Sequence, residues 1–332
     1  MIFRTPGFWY EKSSLWPVLL SPLGYVYAFL ARQRFDMHYP VPLLRPVICV
    51  GNLVAGGAGK TPVVMSLVRM LQEKGLNPHI LTRGYGGAER GPLQVSPGRD
   101  TSEDVGDEAL LLVDIAPTWV SKSRPHGAQE AIDSGANVIV MDDGFQNPSL
   151  YKDFSLLVFD GNSGIGNGHV MPAGPLRENF STGLARADAA VIIGEDKGNV
   201  SDLIRKESDM PIFQAKLQPS GNNPDIFGKE VFAFAGIGRP EKFRDSLVAA
   251  GAVIDGWAEF PDHYPYAEDD LKELLSAAKA KQSIVLTTAK DYVRLPQSCR
   301  DQVLVFAVDL VWENADDLVE LILQAVRDEN FA

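Results

Sequence analysis

A lysine and a threonine follow a glycine-rich run in the string GNLVAGGAGKT, residues 51–61. An apolar segment, PVICV, precedes the run, and a helical pattern begins at Pro62, where proline's missing N–H costs no hydrogen bond. In such a loop the backbone N–H groups converge on phosphate oxygens, the lysine reaches the β- and γ-phosphates, and the hydroxyl can bind Mg²⁺. The string therefore predicts a phosphate-binding loop.

This loop departs from the strict GxxxxGK[ST] spacing, which would place a glycine where the chain has Val54. A glycine-rich turn without a ligand is the alternative, but the position of GKT between an apolar strand and a helix favours phosphate binding. The predicted nucleotide-binding residues are Val54, Ala55, Gly56, Gly57, Ala58, Gly59, Lys60 and Thr61.

Two adjacent carboxylates end a second apolar run, VIVMDDGFQN, at Asp142 and Asp143. Carboxylates at the C-terminal end of a strand hold the magnesium shell in P-loop proteins, although either residue could instead be a solvated loop residue. A GTPase should contain Asn-Lys-x-Asp, and the nearest string, TTAKD at residues 287–291, lacks the asparagine. ATP is therefore favoured over GTP.

Elements that could position these residues alternate along the chain from residue 46. Short apolar runs separated by helical patterns indicate a parallel sheet covered on both faces, a three-layer α/β/α fold. A smaller α/β unit follows, and two extended runs bracket it, so the two lobes should enclose a cleft. We predict a P-loop domain at 46–212 with a C-terminal helix at 313–332, a two-stranded linker at 213–218 and 303–312, and a smaller domain at 219–302.

The N-terminal segment, residues 1–45, differs in composition from the rest of the chain. Residues 15–31 carry no charge but include two prolines and a glycine, and Arg32 and Arg34 follow directly. Aromatic rings flanked by arginines suit the headgroup region of a membrane. We predict a membrane-associated surface helix, with a buried core helix and a spanning helix as the alternatives.

Composition excludes several other classes of protein. With 45% hydrophobic and 22% charged residues the chain is not disordered, and a net charge of -12 argues against a nucleic-acid partner. Cys49 and Cys299 are far apart and belong to no CxxC or Cys/His cluster. This predicts neither disulfides nor a zinc site, and a reducing compartment.

Eight motifs in order resemble the tetraacyldisaccharide 4'-kinases, which phosphorylate the lipid A precursor in Gram-negative bacteria. The resemblance covers about residues 6–325, with Ala109 where a proline is usual and Tyr264 in place of a frequent second histidine. The motifs are VGNLVAGGAGKTP, RGYGG, VGDEALLL, DDGFQ, GNGHVMPAGPLRE, AGIGRPEKF, FPDHYPY and TTAKDYVRL.

The resemblance implies an ATP- and Mg²⁺-dependent kinase with a P-loop NTPase-type domain and a second α/β/α domain. Its acceptor would be the 4'-hydroxyl of a tetraacylated disaccharide 1-phosphate, and residue spacing alone does not identify that hydroxyl. The implied location is the cytoplasmic face of the inner membrane, in a peripheral or monotopic arrangement. The implied partners are the acylated disaccharide lipid and inner-membrane lipids, and we expect a monomer.

Three residues are the predicted catalytic set: Asp107, His263 and Lys60. A sugar hydroxyl is a poor nucleophile, and a carboxylate that accepts its proton contributes about 10²–10⁴-fold. Asp107 resembles the family's base, and His263 the histidine that pairs with it. The alternatives are a carboxylate that only complements a helix dipole and a solvated histidine.

Further predicted site residues come from the same motifs, except Arg124, which lies outside them. We expect Thr61, Glu108, Asp142 and Asp143 to form the magnesium shell. The predicted substrate-contacting residues, each of which could instead stabilise a loop, are Tyr85, Arg124, Asn167, Arg177 and Glu178. The competing functions are a P-loop ATPase, a small-molecule kinase or ligase of the dethiobiotin synthetase type, and a membrane-tethered ATP-binding regulator.

Overall fold

Strands and helices alternate through most of the chain. The computed structural model describes residues 6–11 and 14–328. Its strands are β1 (Val47–Gly51), β2 (Pro78–Thr82), β3 (Leu93–Gln94), β4 (Thr118–Val120), β5 (Val138–Asp142), β6 (Phe154–Asp160), β7 (Ala189–Ile193), β8 (Ile212–Pro219), β9 (Glu230–Ala235), β10 (Val253–Glu259), β11 (Ile284–Thr287), β12 (Leu304–Val305) and β13 (Val308–Trp312). Its α-helices are α1 (Trp16–Asp36), α2 (Lys60–Glu73), α3 (Ser102–Val105), α4 (Asp107–Leu112), α5 (Arg124–Asp133), α6 (Phe180–Leu184), α7 (Val200–Glu207), α8 (Pro240–Ala249), α9 (Glu268–Lys281), α10 (Ala289–Tyr292), α11 (Gln297–Arg300) and α12 (Ala315–Asp328).

The large lobe is built on a nine-stranded sheet in the order β13-β8-β7-β6-β1-β5-β2-β4-β3. All neighbouring strands are parallel except the two edge pairs, β13 with β8 and β3 with β4. Ile48 of β1 packs in the core that contains α2 and α12, whereas Cys49 packs on the other face with α5 and α7. These two covered faces confirm the predicted three-layer fold.

The small lobe has a four-stranded parallel sheet in the order β10-β9-β11-β12. Phe243 and Leu247 of α8 pack on one face, and Leu271 and Leu274 of α9 pack on the other. The small lobe is therefore also an α/β/α unit.

The connection between the lobes differs from the sequence prediction in one detail. The first half of β8 pairs with β7, and its second half pairs with β13, so the edge strand β13 joins the large sheet only through the second half of β8. The run predicted as one strand, 303–312, is divided into β12 in the small sheet and β13 in the linker. The side chain of Asn223 bonds the N–H and the C=O of Ala307, at 2.7 and 2.8 Å, and thereby interrupts the strand.

Helix α1 lies on the large lobe with most of its apolar side chains exposed. Its buried positions are Pro17, Gly24 and Ala28, and a Cβ on Gly24 would lie 2.9 Å from the carbonyl oxygen of Val170. Its exposed large apolar residues are Trp16, Val18, Leu19, Leu23, Tyr25, Val26, Tyr27, Phe29 and Leu30. The buried-core alternative is therefore wrong. Within the described ranges, we find no helix with the length and hydropathy needed to cross a bilayer.

Candidate active site

A cleft of about 3450 Å³ opens between the two lobes. Its walls include the loop before α2 and the start of α4 from the large lobe. The small lobe contributes Arg239, His263 and Lys290. The fold thus brings residues that are far apart in sequence to one cavity.

The predicted phosphate-binding loop joins β1 to α2. Gly56 and Gly59 have φ values of 114° and 87°, which glycine adopts at least cost, and a Cβ on Gly59 would lie 2.6 Å from Ile193 Cδ1. The Ala55 N–H donates to the carbonyl oxygen of Pro175 at 2.8 Å, and Val54 forms a β-bridge with Leu176. Because Val54 is held in that extended bridge, the first position of the loop does not require glycine.

Lys60 begins α2 and reaches across the loop. Its Nζ donates to Asn52 Oδ1 at 3.3 Å and lies 3.5 Å from Asp143 Oδ2. Arg177 Nη1 lies 3.0 Å from Asp143 Oδ1. Burial opposes the charge of Asp143, but Lys60 and Arg177 outweigh that effect and lower its pKa. Three predicted residues thus form one charged cluster.

Asp142 ends β5 in a different environment. Burial, with smaller contributions from Asp143 and Glu108, raises its pKa to about 7 despite the opposing effect of Lys60. Asp142 Oδ1 and Glu108 Oε2 are both buried without a hydrogen-bond partner. In the part of the chain that the structure describes, no three His, Cys, Asp or Glu side chains are grouped closely enough to form a protein-only metal site.

Asp107 and His263 meet across the cleft. Asp107 is buried at the start of α4, after Gly106 with a φ of 86°. His263 follows β10 in a loop, has a φ of 58°, and its N–H donates to the carbonyl oxygen of Gly236 at 3.2 Å. Its Nδ1 lies 2.8 Å from Asp107 Oδ2. The predicted pairing is therefore present as a direct contact between the lobes.

The pair is surrounded by groups from both lobes. Lys290 Nζ lies 3.2 Å from His263 Nε2 and 3.2 Å from Glu108 Oε1. Arg294 Nε lies 3.3 Å from Asp107 Oδ2. The exposed ring of Tyr85 stands edge-on to the His263 ring, with centroids 6.0 Å apart.

A buried polar network fixes Arg294 inside the small lobe. Asp291 Oδ1 accepts hydrogen bonds from the Gly236 N–H at 2.8 Å, from Tyr266 Oη at 2.8 Å and from Arg294 Nη2 at 2.9 Å. Arg294 also donates to the carbonyl oxygens of Tyr264 and Gly236, at 3.2 and 3.0 Å. The loop that carries His263 and the turn after α10 that carries Arg294 are thus tied together.

Three other predicted residues make contacts within the large lobe: Arg124 and Asn167 line the cleft, and Glu178 does not. Glu178 is buried, pairs with Arg186, and accepts from Gln146 Nε2 at 3.2 Å. Asn167 Nδ2 donates to the carbonyl oxygen of Ala173 at 3.0 Å.

Arg124, another predicted contact, is buried and donates to the carbonyl oxygen of Ser121, and burial lowers its pKa. Its Nε has no hydrogen-bond partner. Arg124, Asn167 and Glu178 therefore have local contacts that position loops.

Four cations of the small lobe line the cleft, and the sequence analysis predicts no role for them: Arg239, Lys242, Lys290 and Arg294. Lys290 and Arg294 belong to TTAKDYVRL, and Arg239 belongs to AGIGRPEKF, so the motifs contained the signal. No spacing rule connects these strings to Asp107 or to the phosphate-binding loop, because the contacts depend on how the lobes pack.

Comparisons with known proteins agree with these motifs. A family model described as tetraacyldisaccharide-1-P 4'-kinase matches residues 16–327. The tetraacyldisaccharide 4'-kinase of Paramagnetospirillum magneticum is 50% identical over 93% of this chain and 95% of its own length. That of Rhodospirillum centenum is 47% identical over 96% of both chains. The crystal structure of LpxK from Aquifex aeolicus in complex with ATP superposes with a TM-score of 0.78 at 29% identity, over 93% of this chain and 99% of that one.

Proposed function

The chain belongs to the tetraacyldisaccharide-1-P 4'-kinase family, and on that premise we propose that its cleft transfers the γ-phosphate of ATP to the 4'-hydroxyl of a tetraacyldisaccharide 1-phosphate. The observation that carries the proposal is the 2.8 Å contact between Asp107 and His263. It lies in the same cleft as the phosphate-binding loop, so a base and a phosphate site face one cavity.

We assign nucleotide binding to the loop at residues 54–61. Its N–H groups and the N-terminus of α2 favour a bound polyphosphate, and Lys60 can turn from Asp143 toward the β- and γ-phosphates. Phosphoryl transfer depends mainly on positioning and charge neutralisation. We therefore assign Lys60 to charge neutralisation in the transition state.

The carboxylates beside the loop fit one Mg²⁺ ion. Asp142 Oδ1 and Glu108 Oε2 are buried acceptors without partners, as expected of atoms that bind a cation or its water ligands. Mg²⁺ keeps several waters and takes phosphate oxygens, so one or two carboxylates suffice. Thr61 and Asp143 complete the proposed set, and the bound ion would neutralise charge on the transferring phosphate.

Asp107 is the proposed general base. Its Oδ2 contacts His263 Nδ1 and Arg294 Nε, and we assign Oδ1 to the 4'-hydroxyl proton. His263 donates from Nδ1 and holds the carboxylate in position, while Lys290 lies against its Nε2. Because His263 and Arg294 belong to the small lobe, the base is fully oriented only while the lobes are in contact.

The acceptor is proposed to enter between Tyr85 and the DDGFQ segment. Tyr85 offers an exposed ring beside His263, suited to stacking on a sugar. Arg177 can bind acceptor oxygens if it leaves Asp143. Glu178, Asn167 and Arg124 would act on the acceptor through the loops that they hold.

The decisive test is transfer of label from γ-labelled ATP, with Mg²⁺ present, to an acylated disaccharide 1-phosphate. We expect a labelled lipid that forms only when the acceptor is added. Phosphate release at the same rate with and without acceptor would contradict the proposal and favour an ATPase.

Helix α1 is proposed to hold the enzyme on the cytoplasmic face of the inner membrane, as a monomer. Leu19, Leu23 and Val26 lie on one exposed helical face, and Arg32 and Arg34 follow toward its C-terminal end. Replacing the three apolar residues with serine should reduce binding to anionic vesicles at least about tenfold, because each buried aliphatic side chain contributes about 1.5–3 kcal/mol.

A control for this membrane test is Phe227→Ser, which removes an even more exposed apolar side chain from the small lobe. It should leave vesicle binding unchanged. Equal binding by the triple variant and the wild type would show that α1 is not the anchor.

A further inference from the structure

Two cations of the small lobe reach the large lobe at the phosphate-binding loop. Arg239 precedes α8, and Lys242 lies in its first turn. Arg239 Nη2 and Lys242 Nζ lie 3.0 and 2.9 Å from the same atom, Asp160 Oδ2 at the end of β6. Arg239 Nη2 also donates to the carbonyl oxygen of Gly57, inside the loop, at 3.1 Å. Arg239 thus contacts the loop itself, whereas Lys242 contacts only Asp160.

Asp160 is a rigid anchor for these cations. Its Oδ1 accepts the N–H groups of Asn162 and Ser163 at 3.1 and 3.0 Å, which leaves Oδ2 for the small lobe. Burial opposes its charge, yet hydrogen bonds from Lys242 and from the Ser163 N–H, together with Arg239, lower its pKa to about 2. The single carboxylate of Asp160 therefore faces two basic side chains.

Two cations of the large lobe beside the loop are already paired with a carboxylate. Lys60 and Arg177 both lie against Asp143, at 3.5 and 3.0 Å. A triphosphate and its metal bring several further charges into this space. Lys242 alone can neutralise the Asp160 carboxylate. The positive charge of Arg239 is therefore available for another anion.

A guanidinium is also the group best suited to this position. Its planar fork binds two phosphate oxygens at once, and it stays charged at all physiological pH values. Gly57 and Arg239 both line the interlobe cleft, and Gly57 faces open space on its Cβ side. A side-chain rotation would move the guanidinium from the Gly57 carbonyl to a phosphate bound on the loop.

We propose that Arg239 is a phosphate-binding residue supplied by the small lobe, which exchanges Asp160 and the Gly57 carbonyl for the β- and γ-phosphate oxygens of the nucleotide while Lys242 keeps Asp160. This inference rests on the proposed function. It gives the small lobe two contacts with the reaction, since His263 meets the base and Arg239 meets the phosphates.

Calorimetric binding of ATP and AMP to the full-length protein tests this assignment. Arg239→Gln should weaken ATP binding about tenfold or more and leave AMP binding unchanged, because AMP lacks the β- and γ-phosphates. Arg239→Lys should recover part of the loss. The matched control, Lys242→Gln, should change ATP binding less than about threefold.

Asp160→Asn separates a phosphate ligand from a simple interlobe latch. The variant retains an oxygen for the Asn162 and Ser163 N–H groups but no longer pairs with the two cations. If Arg239 binds phosphate, this variant should bind ATP as tightly as the wild type or more tightly.

Two results would overturn the inference alone: wild-type ATP affinity in Arg239→Gln, or equal weakening in Arg239→Gln and Asp160→Asn. Failure of the wild type to bind ATP would instead overturn the proposed function, and this inference with it.

Discussion

The two lobes hold their parts of the cleft in different ways. In the large lobe, the predicted phosphate-binding loop follows β1 and Asp142 ends β5, and both strands are buried along their whole length. In the small lobe, His263, Lys290 and Arg294 lie on loops and a short helix, and the polar network around Asp291 fixes Arg294. The large lobe positions its site by apolar packing, and the small lobe by hydrogen bonds.

This difference suits different tasks. A nine-stranded sheet covered on both faces gives the nucleotide a rigid platform. The small lobe is joined to it through β8 and β13, and a four-stranded unit on two strands can move as a body. The Asp291 network keeps Arg294 in place relative to the His263 loop during such a motion. Arg294 and His263 therefore reach Asp107 together whenever the small lobe moves back against the large lobe.

The largest predicted effect comes from changing Asp107, the large-lobe side of the contact with His263. Asp107→Asn keeps the side-chain shape but cannot accept the hydroxyl proton, so kcat should fall about 10²–10⁴-fold. ATP affinity should change little, since the phosphate-binding loop is intact. Glu103→Gln, which changes an exposed carboxylate in the preceding helix α3, is the control. A near-normal kcat in Asp107→Asn would remove Asp107 from the mechanism.

The next effect tests whether the small lobe depends on its polar network. Asp291→Ala removes the nearer of the two carboxylates that face buried Arg294, and it leaves the Gly236 N–H and the Tyr266 hydroxyl without their acceptor. Loss of one partner of a buried ion pair typically costs about 3–5 kcal/mol. Hydrogen exchange should show lost protection in β9 and β11, while β1 and β5 keep theirs. Asp291→Asn retains an acceptor for the Gly236 N–H and should lose less. Uniform loss in both lobes would contradict the division between them.

A smaller effect concerns Asp142 of the large lobe, where burial disfavours the charged form of the carboxyl group. In the folded protein the pKa of Asp142 is raised to about 7. Between about pH 4 and pH 7 the folded protein therefore keeps a proton on Asp142 that the unfolded chain has already released. Over that range the free energy of unfolding should fall as pH rises, and above pH 7 this contribution is constant.

Asp142→Asn removes this pH dependence. Without nucleotide or Mg²⁺, the variant should be more stable than the wild type at pH 8 by about 2–4 kcal/mol, with the difference shrinking toward pH 4. Denaturant unfolding at a series of pH values measures it. If the free energy of unfolding varied with pH in the same way for the two proteins, the pKa of Asp142 would not be raised in the folded state.

Sequence reasoning was most successful where chemistry is local. The strand before the GKT string and the helix after it are present as β1 and α2, because all of these parts are adjacent in sequence, and phosphate binding by the loop between them stays a prediction. The three-layer fold followed from apolar runs that alternate with helical patterns. The contact between Asp107 and His263 was expected from the family resemblance, and residue spacing alone would not have paired them.

The parts that sequence did not predict depend on tertiary packing. Arg294 reaches Asp107 only because the lobes fold against each other, and Arg239 reaches Gly57 for the same reason. Asn223 divides the predicted linker strand through its side chain, which no strand pattern reveals. Val54 is tolerated in the loop because of a β-bridge to a distant segment.

The central claim is that Asp107 and His263 act as one unit across the cleft. A double-mutant cycle of Asp107→Asn and His263→Asn, with kcat for acceptor-dependent transfer as the readout, tests it directly. We expect the double variant to be about as slow as Asp107→Asn alone, because His263 acts through that carboxylate. Losses that multiply in the double variant would show that the two residues act independently and would contradict the account.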